Sequence, residues 1–186
     1  MSSTGILVVS ATREEAAHVP DGIDVVVTGI GKVAAAVAVT QALAGYAPDR
    51  LPLVVNIGTA GALHGHHAGL YVPSAVLNHD ISAEVLRSLG HPVRDAIDLA
   101  DGDGTVLATG DTFVSDAAVR DALAARADWS TWRARDRLRV RPDRCPCRLV
   151  KHVSDHADDS ALDWPAQVDA SARVLADWLV RTFGPR

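Results

Sequence analysis

The sequence predicts an α/β fold: a three-layer sandwich in which helices cover both faces of a central sheet that is mostly parallel or mixed. Short apolar, β-branched runs alternate along the chain with alanine-rich or amphipathic segments, an order typical of βαβ units. Hydrophobic residues make up 48% of the chain and aromatic residues only 4%, which is usual for such folds. No repeat or linker interrupts the pattern, so we expect a single domain over residues 1–186.

Composition excludes several classes of protein. A net charge of −5 argues against a general nucleic-acid-binding protein. Because no apolar run approaches the length of about 20 residues that a membrane span needs, and no signal peptide is recognisable, we expect a cytoplasmic protein that does not enter a membrane. Cys145 and Cys147 are too few for a zinc site or a disulfide framework, so reduced cysteines are expected. We expect no metal and no cofactor.

Six runs predict strands: residues 6–9, 25–27, 51–55, 71–77, 106–108 and 149–153. Helices are expected over residues 33–44, from Ser115 or Asp116 through Ala127, and from Pro165 onwards, where the apolar residues recur at helical spacing. A further helix is expected near the start, with Ser10 or Thr12 as its N-cap. Glu14 and Glu15 open that helix, so they are either surface acids that stabilise the helix dipole or a source of one general base.

The stretch Asn56–Gly61 follows a buried apolar run and predicts a loop at the carboxyl edge of the sheet, where open α/β folds bind ligands. Gly58 and Gly61 allow positive φ and a close approach of the backbone to a ligand, and Thr59 offers a hydroxyl between them. This loop is our candidate floor of an active site. The alternative is a strand-to-helix turn that binds nothing.

Several other polar stretches of the sequence are also candidate sites. Residues 28–32, Thr-Gly-Ile-Gly-Lys, resemble a phosphate cradle but lack the length of a P-loop and the third glycine of a dinucleotide fingerprint, so a tight turn is favoured. The histidines His64, His66 and His67 have no interleaved cysteine or carboxylate, which favours a solvated loop over a metal site. Two further candidates follow strands: the pair His79 and Asp80, and the acidic residues around His156.

Five motifs in order resemble the nucleoside phosphorylase and nucleosidase superfamily: residues 10–15, 28–33, 56–61, 109–113 and 153–158. The nearest branch is similar to methylthioadenosine/S-adenosylhomocysteine nucleosidase, with futalosine hydrolase as a near relative. The resemblance implies the nucleoside phosphorylase-like fold, cleavage of the N-ribosidic bond of a purine nucleoside, and a role in methionine salvage or nucleoside catabolism. It also implies a homodimer, with the small-molecule nucleoside as the other partner.

The resemblance also implies roles for individual residues. Two of them would be catalytic: Glu15 would activate water and Asp155 would protonate the departing purine. The others would bind substrate, and they are Thr59 and Gly61 beside the ribose, Phe113 stacked on the base, the backbone of Val114 at the edge of the base, Ser154 beside Asp155, and His79 and Asp80 near the mouth of the site. Phosphorylase relatives place an arginine for phosphate where this chain has Asn56, so water is the expected nucleophile.

One stretch departs from the family pattern. Relatives carry a Met-Glu motif, whose glutamate binds the ribose, before the last strand; this chain has the arginine-rich residues 129–144 there. A basic strip that binds nucleic acid or an acidic partner is one explanation. We favour a shifted reading frame, because Trp-Ser-Thr-Trp-Arg can be encoded by bases that read Val-Asp-Met-Glu one base earlier, and resequencing the locus tests this. If the chain is as written, we expect much reduced activity or a catalytically impaired nucleoside-binding protein.

Overall fold

The structure is a computed structural model, and it describes residues 5–112, 114–131, 145–155 and 164–184, with the side chains of 164–166 excepted. Its strands are β1 (Ile6–Ser10), β2 (Asp24–Val27), β3 (Leu53–Ala62), β4 (Leu70–Tyr71), β5 (Ala75–Asn78), β6 (Ala96–Asp98), β7 (Val106–Thr109), β8 (Trp129–Thr131) and β9 (Cys147–Asp155). Its helices are α1 (Lys32–Leu43), α2 (Ala83–Ser88), α3 (Ala117–Ala124) and α4 (Trp164–Phe183).

The nine described strands form one mixed sheet. Its main order is β2-β1-β3-β8-β7-β5-β6, and β9 pairs with both β3 and β4. Strand β3 is long enough to pair in parallel with β1 and β9 and, near its end, antiparallel with β8. Strands β1, β2, β3 and β9 therefore run in one direction. Strands β5, β7 and β8 are parallel to one another and run in the opposite direction.

Helices cover both faces of the sheet, which confirms the predicted α/β sandwich. Alternate residues of β1 point to opposite faces: Ile6 and Val8 pack in the same cluster as Leu175 and Leu179 of α4. Leu7 and Val9 pack instead against Val39 and Leu43 of α1. All five residues of β1 are buried, so its continuous apolar run reflects a strand covered on both sides.

Several predicted elements are confirmed and several are wrong. The predicted floor loop, residues 56–61, is not a loop: it continues β3 as a buried strand with an irregular register between Ala60 and Gly61. The predicted strand over residues 71–77 is broken at Pro73 into β4 and β5, because proline cannot donate a ladder hydrogen bond. The glycines of the predicted floor misled the prediction, because both Gly58 and Gly61 lie within the strand and do not end it.

The helix expected after Ser10 is also wrong, because residues 11–18 form a series of bends and turns. Helix α3 does begin after Asp116, whose carboxylate accepts hydrogen bonds from two N–H groups of the first turn. It ends at Ala124 and not at Ala127 as predicted. Strands β6 and β8 and helix α2 were not predicted from the sequence. None of the described helices is long and apolar enough to cross a membrane.

Candidate active site

A buried carboxylate lies where β1, β3 and β9 meet. Glu15 is only 1% exposed, although it lies in an irregular turn segment just after β1. Its Oε1 accepts hydrogen bonds from the backbone N–H of Thr59 at 2.8 Å and from the Thr59 hydroxyl at 2.9 Å. Ser10 Oγ lies 3.3 Å from Oε2. The interpretation of Glu15 as a surface acid is therefore wrong, whereas its neighbour Glu14 is exposed.

A buried lysine accompanies this carboxylate, and sequence reasoning missed it. Lys151 is 3% exposed and lies opposite Gly58 in the parallel pairing of β3 and β9. A Cβ built on Gly58 would meet both Glu15 Oε1 and Lys151 Nζ at 3.0 Å, so these two atoms are at most twice that distance apart. Burying a lone charge is costly, and a nearby opposite charge offsets that cost. A lysine within a predicted buried strand was the one signal that could have revealed it.

Gly58 provides the space in which the two charges meet. Its φ of 155° is one that other residues rarely adopt, and any side chain there would contact the carboxylate and the ammonium. The glycine expected to approach a ligand therefore approaches the protein's own charged groups. Gly61, by contrast, is an ordinary strand residue, paired with Ser130 of β8 and Asp155 of β9.

The predicted acid and its neighbour end strand β9. Ser154 is buried, and its hydroxyl donates a 2.7 Å hydrogen bond to Asp155 Oδ2. Asp155 is paired with Gly61 of β3, and Thr59, which binds Glu15, lies two residues before Gly61 on the same strand. The strand pairing therefore brings the expected acid, Asp155, and the expected base, Glu15, to the same part of the sheet. The structure therefore assembles Glu15, Thr59, Gly61, Ser154 and Asp155 as one group.

His79 and Asp80 form a second group with the residues after β7. Asp80 accepts hydrogen bonds from Lys32 Nζ at 2.6 and 2.7 Å and from the backbone N–H of Asp111 at 2.6 Å. Burial by itself raises the pKa of Asp80, but the hydrogen bonds from Lys32 and Asp111 outweigh that effect and lower the pKa. Burial lowers the pKa of His79. The charge of Asp80 opposes this lowering, and the charge of Lys32 adds to it.

Buried polar atoms without partners lie between these groups. Asn78 Oδ1, Thr131 Oγ1 and His79 Nε2 have no hydrogen-bond partner within the described residues. Asn78 and Thr131 flank Thr109 on the neighbouring strands β5, β8 and β7. Buried polar groups are nearly always satisfied in native proteins, so this part of the sheet edge is suited to a polar ligand or to ordered water.

The other residues expected in the site are only partly described by the structure. Val114 is buried and its side chain packs with Leu63 and Ala108, which leaves only its backbone for a ligand. Phe113, His156 with the acids that follow it, and most of the arginine-rich stretch lie outside the described residues. The start of that stretch is described, and it forms β8 between β3 and β7.

The histidine loop is not simply solvated. The rings of His66 and His67 lie 4.1 Å apart, and His67 also packs on the buried Trp129 at 4.0 Å. Within the described residues no three His, Cys, Asp or Glu side chains are grouped so that they could hold a metal ion. Cys145 is buried and Cys147 is partly buried.

Comparison with solved structures identifies the architecture. The chain is similar to a Helicobacter pylori methylthioadenosine/S-adenosylhomocysteine nucleosidase complexed with a substituted pyrrolidinol, with a TM-score of 0.80 over 97% of this chain and 98% of that one, at 20% identity. The chain has the nucleoside phosphorylase-like fold. This confirms the resemblance of the motifs at the level of the fold.

Further structures share the nucleoside phosphorylase-like fold. A futalosine hydrolase mutant of H. pylori matches with a TM-score of 0.79, 20% identity, and 94% and 96% of the two chains covered. The Streptococcus pneumoniae nucleosidase in complex with 8-aminoadenine matches with a TM-score of 0.75, 18% identity, and 96% and 99% covered. No protein-family model matches the sequence, and no curated protein matches it.

A partly buried histidine makes stability depend on pH. Burial lowers the pKa of His152, whose Nδ1 lies 2.9 Å from the hydroxyl of buried Ser171. Near and below the usual histidine pKa of about 6.5, the unfolded chain therefore binds more protons than the folded chain. The free energy of unfolding is therefore highest above that pH and decreases as the pH falls. We expect the urea midpoint to fall between about pH 7.5 and pH 5.5.

The variant His152→Asn tests the source of this dependence. Replacing the imidazole removes the proton uptake, so the difference between the two urea midpoints should shrink. His91→Asn, at an exposed position, is the matched control and should leave the wild-type difference in place. If the urea midpoints of the His152→Asn protein differ between the two pH values as much as those of the wild type, His152 does not contribute to the pH dependence of stability.

Proposed function

We propose that this protein hydrolyses the N-ribosidic bond of purine nucleosides such as methylthioadenosine or S-adenosylhomocysteine and releases the free base. The observation that carries the proposal is Glu15, a buried carboxylate oriented by Thr59 and placed beside the ammonium of Lys151. Buried, hydrogen-bonded acids with a charge partner are common among catalytic groups. The fold supports the proposal, because relatives in structure are nucleosidases.

In the proposed reaction, Glu15 takes a proton from water as the oxygen of that water bonds to C1′ of the ribose. The bond from C1′ to the purine nitrogen breaks through an oxocarbenium-like state, and Asp155 donates a proton to the departing purine. Lys151 places an ammonium near the Glu15 carboxylate, which offsets the cost of burying the two charges. Thr59 fixes the direction of that carboxylate.

Water is the proposed nucleophile, and two features disfavour phosphate. The turn Gly29–Lys32 precedes the N-terminus of α1, where an anion could bind, but the protein's own acids are there: Asp111 Oδ1 accepts a hydrogen bond from the Lys32 N–H, and Asp80 neutralises the Lys32 side chain. Near Glu15, the carboxylate offsets the charge of Lys151. A phosphate would therefore find no uncompensated cation among these residues.

Futalosine hydrolysis is the second candidate, because a futalosine hydrolase shares the fold as closely as the methylthioadenosine enzymes do. Both reactions break the N-ribosidic bond, and their substrates differ in the substituent at the 5′ position of the ribose. Base release measured with each substrate distinguishes the two candidates.

The decisive experiment measures free base released from methylthioadenosine, S-adenosylhomocysteine and futalosine by the purified chain, with and without phosphate. We expect release from at least one of them at a rate that phosphate does not change. Base release that depends on phosphate would show that the reaction is phosphorolysis and not hydrolysis. A folded sample that releases no base but binds adenine would be the catalytically impaired protein expected from loss of the Met-Glu motif.

The expected homodimer remains a proposal, and α1 offers a surface for it. Lys32 is the one charged residue of this helix, and its outward residues Val33 and Val37 are 75% and 51% exposed. A helix that is apolar on every side is normally buried, so a second copy packed on α1 would remove this surface from water. The mass of the purified chain in solution tests this proposal.

A further inference from the structure

Helix α1 is capped by a residue from another part of the chain. Its N-cap position, Gly31, makes no side-chain capping hydrogen bond, and its first turn contains no acid. Asp111, which follows β7, supplies the missing acceptor: its Oδ1 takes a 2.8 Å hydrogen bond from the backbone N–H of Lys32. A carboxylate at this end of a helix also interacts favourably with the helix dipole. The start of α1 and the loop after β7 are thus joined.

The side chain of Lys32 strengthens this junction. Its Nζ lies 2.6 Å from Asp80 Oδ1 and 3.6 Å from Asp111 Oδ2. The side chains of Lys32 and Asp80 are only 18% and 16% exposed. Fully exposed ion pairs contribute little to stability, whereas this pair is largely shielded from water and also carries charge-assisted hydrogen bonds.

The loop after β7 is seated against the end of β5 as well. Asp80 Oδ2 accepts a 2.6 Å hydrogen bond from the Asp111 N–H, and the N–H of His79 donates to the carbonyl of Thr109. A Cβ on Gly110 would lie 2.5 Å from His79 Nε2 and 3.0 Å from the Asp80 carboxyl carbon. The glycine is therefore required by the close packing of the loop on these two side chains.

We propose that Lys32, Asp80 and Asp111 form a clamp that holds residues 110–112 against β5 and thereby sets the affinity for the purine base. This inference rests on the proposed function, because the clamped loop leads to Val114, whose backbone is expected to meet the edge of the base. Asp80 then acts as a positioning residue through the loop.

The test compares Lys32→Met with Lys32→Arg, which keeps the charge. Three quantities are measured: amide hydrogen exchange of residues 109–112, the Kd for adenine by calorimetry, and KM and kcat for base release. In Lys32→Met we expect faster exchange at Asp111 and a Kd and KM raised about tenfold, because charge-assisted hydrogen bonds are lost, while kcat changes by less than about threefold. Lys32→Arg should restore most of the binding. Asp80→Asn, which keeps the shape of the side chain, should repeat the Lys32→Met result and provides a second variant if the first fails to fold.

Arg173→Met is the control, since it removes the exposed ion pair of α4 with Asp169 and should change none of these quantities. Wild-type exchange at Asp111 in both Lys32→Met and Asp80→Asn would overturn the clamp. Faster exchange with unchanged Kd and KM would overturn its link to base affinity. If the wild-type chain neither binds adenine nor releases base, the proposed function fails, and the role assigned to the clamp in base binding fails with it.

Discussion

Replacing Glu15 by Gln should lower the rate of base release by about a thousandfold, within the range that a general base contributes. The amide keeps the size of the side chain, and its oxygen can still accept the hydrogen bond from Thr59, but it cannot take a proton from water. The effect should appear in kcat, while binding of adenine remains. The measurement is the steady-state release of base, together with the thermal unfolding midpoint of each variant.

Glu14→Gln is a matched control for this substitution. The same chemical change is made at the preceding residue, which is exposed, and it should leave both activity and stability near the wild-type values. Glu15→Asp is a second variant, since it keeps the charge beside Lys151 but withdraws the carboxylate by one methylene. A Glu15→Gln protein that retains more than about a tenth of the wild-type rate would exclude Glu15 as the general base.

Replacing Lys151 by Met should destabilise the protein strongly, by about 3–5 kcal/mol, the usual cost of removing one partner of a buried ion pair. Lys151 lies within the parallel pairing of β3 and β9 and is almost fully buried, so water cannot replace its charge beside Glu15. Base release should fall as well, because the buried Glu15 carboxylate loses its nearby charge partner. Urea unfolding measures the loss of stability, and kcat for base release measures the loss of activity.

A double variant separates charge pairing from packing. If Glu15 and Lys151 interact, the protein carrying both Glu15→Gln and Lys151→Met should be more stable than the sum of the two single losses predicts. Arg148→Met, on the same strand but in an ion pair with the exposed Asp101, should cost at most about 1 kcal/mol. Strict additivity of the two single variants would show that the buried charges do not stabilise each other.

The fold was largely predictable because its signals are local. The runs that became β1, β2 and β7 are apolar and β-branched, and the stripe of α4 recurs at helical spacing, so each element could be recognised from a few neighbouring residues. The helix expected after Ser10 failed for the same reason: capping residues and acids indicate a helix start, but the segment instead bends so that Glu15 reaches Thr59. That contact joins residues 44 positions apart.

The sequence by itself determined the alternation of strands and helices, the polar residues at strand ends, and the likeness of five motifs to nucleosidases. Only the tertiary structure decided that the floor of the site is a strand, that Lys151 lies beside Glu15, and that Lys32 is held by Asp80 and Asp111. The reason is physical. Periodicity and turn chemistry act between neighbours in the chain, whereas the pairing of buried charges depends on the register of strands that are distant in sequence.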